Sequence, residues 1–158
     1  MKSILLFLVV ITLTGCGTAK TIVLEPPKEK VTYSSVAIIP NNPTVQVPDE
    51  VTEVFEGELN KSLFDEGPFS SGDGLKLLYT FVQNDEGDRF ERWFWGGLGN
   101  AGEASVTVMV RYVNDDGDEL AKTQVEGRIG SGFFGGSIDS AIKEAARDVA
   151  TYTIANFK

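Results

Sequence analysis

The chain has 158 residues, 42% of them hydrophobic and 23% charged, so it is about one globular domain long and can bury a core. Its 14 basic residues stand against 23 acidic ones, a formal net charge of -9 whose field repels phosphate backbones and anionic lipid surfaces and argues against nucleic-acid binding. With no histidine and a single cysteine, it cannot build a Ser-His-Asp triad, a Cys-His pair or a zinc site of nitrogen and sulfur ligands.

Lys2 precedes an apolar run over residues 4–13, interrupted only by Thr12. The run is too short for a membrane-spanning helix of about 20 residues and suits the hydrophobic region of a signal peptide. Directly behind it stand Leu13-Thr14-Gly15-Cys16, which resemble the lipobox of bacterial lipoproteins. The resemblance implies cleavage after Gly15, with residues 1–15 as signal peptide and Cys16 as the acylated, palmitate-bearing amino terminus. Several acyl chains would hold the protein on a membrane essentially permanently, since each buried CH₂ contributes about 0.8 kcal/mol. Gly17 follows the cysteine, in place of the aspartate associated with inner-membrane retention in enteric lipoproteins. The expected place is therefore the cell envelope, at the periplasmic face of the outer membrane where the source has two. Residues 16–30, closing on Glu25-Pro26-Pro27-Lys28-Glu29-Lys30, read as the acylated cysteine and a semi-extended tether. Fully extended, residues 17–30 would reach about 45 Å at ~3.3 Å per residue.

Residues 31–158 read as a single domain. Val36, Ile38 and Ile39 make a short apolar strand stopped by Pro40. Val51, Val54, Phe55, Leu59 and Leu63 keep helical spacing behind Asp49 and Glu50, and Gly67-Pro68 ends that helix. Gly57 weakens it locally, and its lack of a side chain suggests another backbone packed close by. Leu75, Leu77, Tyr79 and Phe81 alternate as a second strand. Asp88 and Glu91 suggest a capped helical turn that sends Phe90, Trp93 and Phe94 to the core. Residues 97–102 match G-x-G-x-x-G, but these glycines open a strand, whereas a dinucleotide site needs them to open a helix.

Residues 104–129 carry the plainest signal. Val106, Val108, Val110 and Tyr112 share one face against Ser105, Thr107 and Arg111, and Ala121, Thr123, Val125 and Ile129 share one against Lys122, Gln124, Glu126 and Arg128. Between them Asn114-Asp115-Asp116-Gly117-Asp118-Glu119 reads as a hairpin turn in which Gly117 takes a positive φ. A glycine-rich bend over residues 130–136 then leads to a last helix, capped by Ser137 and buried through Ile138, Ala141, Ile142, Ala145 and Val149. The expected fold is α+β, a mainly antiparallel sheet of about four strands with two helices packed on one face, in the order β-α-β-β-β-α.

From about residue 36 to residue 157 the sequence resembles a domain of unknown function common in short envelope lipoproteins. The helix ending at Gly67, the segment 89–95 before the glycines, the strand 106–112 with its Asp115-Asp116-Gly117 turn and the alanine-rich closing helix carry the likeness. The resemblance implies an envelope lipoprotein and brings no catalytic residue with it.

Asp115, Asp116, Asp118 and Glu119 cluster, but a general acid needs burial to raise its pKa and this turn should be solvated. Neither this run nor Asp85, Glu86 and Asp88 has the spacing of a calcium loop. No metal, cofactor or enzymatic activity is expected. The favoured reading is a non-catalytic interaction or accessory module, bound to the membrane through Cys16 and to an envelope protein partner. The alternatives are a binder of a small hydrophobic ligand between helices and sheet, or a carboxylate-dependent hydrolase. Antiparallel pairing of residues 75–81 with 106–112 would bring the segments 89–102 and 130–136 to one end of the sheet, with Asp116 at the other. Trp95, Phe133 and Phe134 are then the candidate partner-binding residues, unless those rings fold over the sheet end and complete the core.

Overall fold

The computed structural model describes residues 18–41, 47–82, 105–128 and 138–158. Within them the chain forms β1 (Thr18–Glu25), β2 (Ser35–Pro40), α1 (Asp49–Asn60), β3 (Ser70–Ser71), β4 (Leu75–Val82), β5 (Ser105–Val113), β6 (Glu119–Arg128) and α2 (Ile138–Phe157). The strands build one mixed sheet in the spatial order β1-β6-β5-β4-β2-β3. The pairs β1·β6, β6·β5 and β5·β4 are antiparallel, and β2 runs parallel to both β4 and β3.

The α+β class and the two helices agree with the sequence pattern, but the sheet has six strands where about four were expected. β1 comes from the stretch read as a tether. Thr18, Thr21, Ile22 and Val23 are β-branched, and they zip onto β6 from Thr18↔Arg128 to Glu25↔Lys122 before Pro26-Pro27 ends the strand. β3 is two residues long, held where Ser70 N–H donates to Ser34 O at 3.0 Å and Gly72 N–H donates to Val36 O at 3.1 Å. β2 is parallel to β4 because α1 carries the chain back to the starting end of the sheet between them, as a parallel connection requires.

One face of the sheet is apolar in every central strand. Leu75, Leu77, Tyr79 and Phe81 of β4, Val106, Val108, Val110 and Tyr112 of β5, and Ala121 and Val125 of β6 are all buried. α1 buries Val51, Phe55 and Leu59 against it and continues through a wider turn at Lys61–Asp65, which buries Leu63. A Cβ on Gly67 would lie 2.3 Å from Ser62 O, so the chain leaves the helix where only glycine fits. α2 lies on the same face, with Ala141, Ile142, Ala145, Ala146, Val149, Ala150, Thr153 and Phe157 buried.

The hairpin forms as the pattern demanded. Gly117 has φ 91°, its N–H donates to Asn114 O at 3.2 Å, and Asn114 Oδ1 accepts from Asp118 N–H at 2.8 Å. Asp115, Asp116 and Asp118 are exposed, as a solvated turn should be. Gly57 differs from its expected role, since nothing lies within 4 Å of a Cβ placed there. The close approach is at Gly127 of β6, where a Cβ would stand 2.2 Å from Ala141 O of α2.

Candidate functional site

Strand register gathers several chain exits at one end of the sheet. Val82, the last residue of β4, lies opposite Thr107 near the start of β5. Ser105 lies opposite Arg128, and Arg128 lies opposite Thr18. The connections 83–104 and 129–137 therefore join the sheet at the end where β1 begins, and the 114–118 turn lies at the other. β4 and β5 are antiparallel neighbours, the pairing required to bring those two connections together. Cys16, Trp95, Phe133 and Phe134 lie outside the described residues, as do Asp88, Phe90, Trp93 and Phe94, the residues 97–102 and Ser137.

Polar side chains in the interior tie helices to sheet. Tyr79 Oη donates to Glu56 Oε1 at 2.5 Å, joining β4 to α1. Burial first, then the bond to this carboxylate, holds the Tyr79 hydroxyl far above the ordinary tyrosine range. Tyr112 Oη lies 3.4 Å from Thr153 Oγ1, whose own proton goes to Val149 O at 2.7 Å, so the tyrosine is the donor in that pair. Burial likewise raises Tyr112. Thr123 Oγ1 is buried without a hydrogen bond of good geometry. These tyrosines stay protonated and act as donors, which suits positioning and does not suit general-base chemistry.

The two helices are also joined to each other. Arg147 Nε donates to Glu58 Oε1 at 2.7 Å and its Nη1 donates to Glu144 Oε1 at 2.6 Å. The Glu58 bond is the main reason that the Arg147 guanidinium holds its proton more tightly still. Between α2 and β1 an open groove of ≈ 290 Å³ is lined by Thr21, Asp148, Thr151, Tyr152, Ala155 and Asn156. Thr21 Oγ1 donates to Asp148 Oδ2 there at 3.0 Å, which closes β1 against α2. Among the described residues no three His, Cys, Asp or Glu side chains are grouped to hold a metal ion, and no helix is long and apolar enough to cross a membrane.

The sequence pattern missed one surface. Ile22, Val23 and Leu24 of β1 are the exposed large hydrophobic residues among those described, at 37%, 46% and 44% exposure. They sit on an edge strand whose outer side has no partner strand among the described residues. Thr21-Ile22-Val23-Leu24 was the available signal, overshadowed by the prolines that follow.

The family model described as a domain of unknown function, DUF4410, matches residues 44–132. No curated protein matches the chain. Among solved structures the chain is similar to protein XCC0632 from Xanthomonas campestris, of the DUF330 family model, at 14% identity over 84% of this chain and 88% of that one, with a TM-score of 0.50. It is also similar to the PelC dodecamer from Paraburkholderia phytofirmans, at 14% identity over 85% of this chain and 95% of that one, with a TM-score of 0.49. At such identities the likeness is one of fold alone.

Proposed function

The chain belongs to the DUF4410 family, a domain of unknown function, and from that premise we propose that it is a lipid-anchored cell-envelope protein acting as a non-catalytic interaction or accessory module. The observation that carries this reading is Leu13-Thr14-Gly15-Cys16 directly behind the apolar run of residues 4–13. A diacylated Cys16 would fix the domain to the membrane, at the periplasmic face of an outer membrane where there is one. The interior supports a scaffold more than a pocket. Phe55, Tyr79 and Phe81 fill the space between α1 and the sheet with ring centroids 5.0 to 5.7 Å apart, and Tyr112 stacks on Phe157 at 5.0 Å under α2. A partner would meet the sheet end to which the connections carrying Trp95, Phe133 and Phe134 are joined.

Mass spectrometry of the amino-terminal peptide from membrane-extracted protein tests the anchor. The expected product begins at Cys16 with acyl chains attached through its sulfur, and Cys16→Ser should abolish that acylated, cleaved product. An unmodified Cys16, or cleavage elsewhere, overturns the reading. Trp95→Ser, Phe133→Ser and Phe134→Ser, singly and together, test the interaction surface. Lost crosslinked partners at unchanged melting temperature support it, and lost stability assigns the rings to the core.

A further inference from the structure

Taking the lipid anchor of the proposed function as its premise, we infer that β1 is the surface on which the domain lies against the bilayer, with Ile22, Val23 and Leu24 entering the headgroup boundary. The first observation is reach. β1 starts at Thr18, two residues after Cys16, so an acylated cysteine stands within about 7 Å of the sheet, whereas a free tether would leave tens of ångströms. A domain on so short a link cannot turn freely, and the element nearest the acyl chains is the beginning of β1.

The second observation is what that strand exposes. Ile22, Val23 and Leu24 follow the anchor point on an edge strand with an unpaired outer side among the described residues. Three consecutive exposed aliphatic residues at a sheet edge are a liability in water. Beside a membrane they become an interfacial contact, where the unpaired backbone groups of the edge remain in the hydrated headgroup layer. Lys20, exposed on the same strand, can extend its ammonium to headgroup phosphate while its stem lies along the apolar side. Glu126 lies opposite Lys20 and Arg128 opposite Thr18, so charges of both signs stand at this end of the sheet and net charge does not set the orientation. Covalent reach and apolar contact set it, and salt should leave it unchanged.

The opposite edge of the sheet, β3, is five strand spacings from β1, about 24 Å at ~4.8 Å each. A domain lying on β1 holds Asp73, just beyond β3, well clear of the headgroups. A domain standing on its sheet end brings only the beginning of β1 down.

The test uses full-length acylated protein in phosphatidylcholine vesicles carrying a nitroxide on a fraction of the headgroups. A fluorophore is attached in turn at Lys20→Cys, Glu25→Cys and Asp73→Cys, with acylation of Cys16 confirmed by mass in each sample. The expected result is strong quenching at both Lys20 and Glu25, several-fold above that at Asp73 and insensitive to salt. Inserting about twelve Gly-Ser residues before Thr18, a flexible span of about 20 Å, should reduce but not abolish the difference, because the apolar contact remains. Adding Ile22→Ser, Val23→Ser and Leu24→Ser to that insertion should abolish it at unchanged melting temperature. Quenching at Lys20 alone would mean that the domain stands on its end, and equal quenching at all three would mean that it tumbles. Disulfide-linked dimers of Ile22→Cys with no quenching at Glu25 would give the edge to a second copy. Each of these overturns the inference with the anchor intact, whereas an unacylated Cys16 removes the anchor itself.

Discussion

Over β4, α1 is held by large rings. Phe55 sits 5.0 Å from Tyr79 and 5.4 Å from Phe81 between ring centroids, and the Tyr79 hydroxyl reaches past it to Glu56. Over β6, α2 is seated where a side chain is missing, for Gly127 leaves room for the Ala141 carbonyl and Ala145 Cβ would lie 3.2 Å from any Cβ added there. The same sheet face is thus covered by filling in one place and by emptying in the other. The first interface should suffer most from removing atoms, and the second from adding them.

Phe55→Ala should be the most damaging change, because the ring is fully buried and two further rings lose contacts with it. A loss of about 3–5 kcal/mol in denaturant unfolding is expected, and a much smaller loss would mean that α1 is not a ring-packed helix. Gly127→Ala should cost about 1–3 kcal/mol, with one methyl added, because its nearest atom is backbone and cannot swing aside. Unchanged stability in that variant would break the contrast between the two seats.

Tyr79→Phe keeps the ring and removes only the bond to Glu56, so it separates packing from polar tie within the α1 interface. The expected loss near pH 7 is about 1–2 kcal/mol, below that of Phe55→Ala. The pH dependence has a definite sign. All four tyrosines have folded pKa values raised above 10, by burial first in each case. The folded state therefore holds its protons where the unfolded chain releases them. The stability contributed by these neutral hydroxyls is complete below pH 10 and lost as pH rises above it. Thermal melts stepped through this range should fall, tyrosinate absorbance should appear with unfolding, and Tyr79→Phe should flatten part of the decline.

The α1 seat was easier to foresee than the α2 seat. Val51, Phe55, Leu59 and Leu63 announce a helical stripe by spacing, and Leu75, Leu77, Tyr79 and Phe81 announce the strand beneath it, because periodicity records which side chains are buried. Gly127 breaks the alternation of β6 and left no apolar letter to read, since what it provides is distance between two backbones. β1 was hidden for another reason. Its pairing depends on β6, about 100 residues later, and the edge position leaves Ile22, Val23 and Leu24 without the polar alternation of a half-covered strand. The roots of the glycine-rich connections followed from hairpin logic, because antiparallel neighbours must exchange ends. The acylation proposed for Cys16 depends on no fold at all, since its reading rests on what precedes it in the chain.

The smallest effect expected is also the one with the opposite sign. Gly57 sits in α1 and Gly127 in β6, and on sequence grounds Gly57 is the one that invites a close neighbour. Nothing lies within 4 Å of a Cβ at Gly57, the residue is exposed, and its φ is not positive. A methyl there meets no neighbour, removes backbone freedom from the unfolded chain and extends the helix with its best-forming residue. Gly57→Ala should therefore stabilise the domain by about 0.4–1 kcal/mol, read as a small rise in the denaturant midpoint at unchanged slope. The double variant Gly57→Ala with Gly127→Ala should show the sum of the two single effects within about 0.5 kcal/mol, because the sites share no partner. A loss of stability in Gly57→Ala alone would mean that α1 has a neighbour at this position, and the contrast between a helix seated on rings and one seated on a glycine would have to be redrawn.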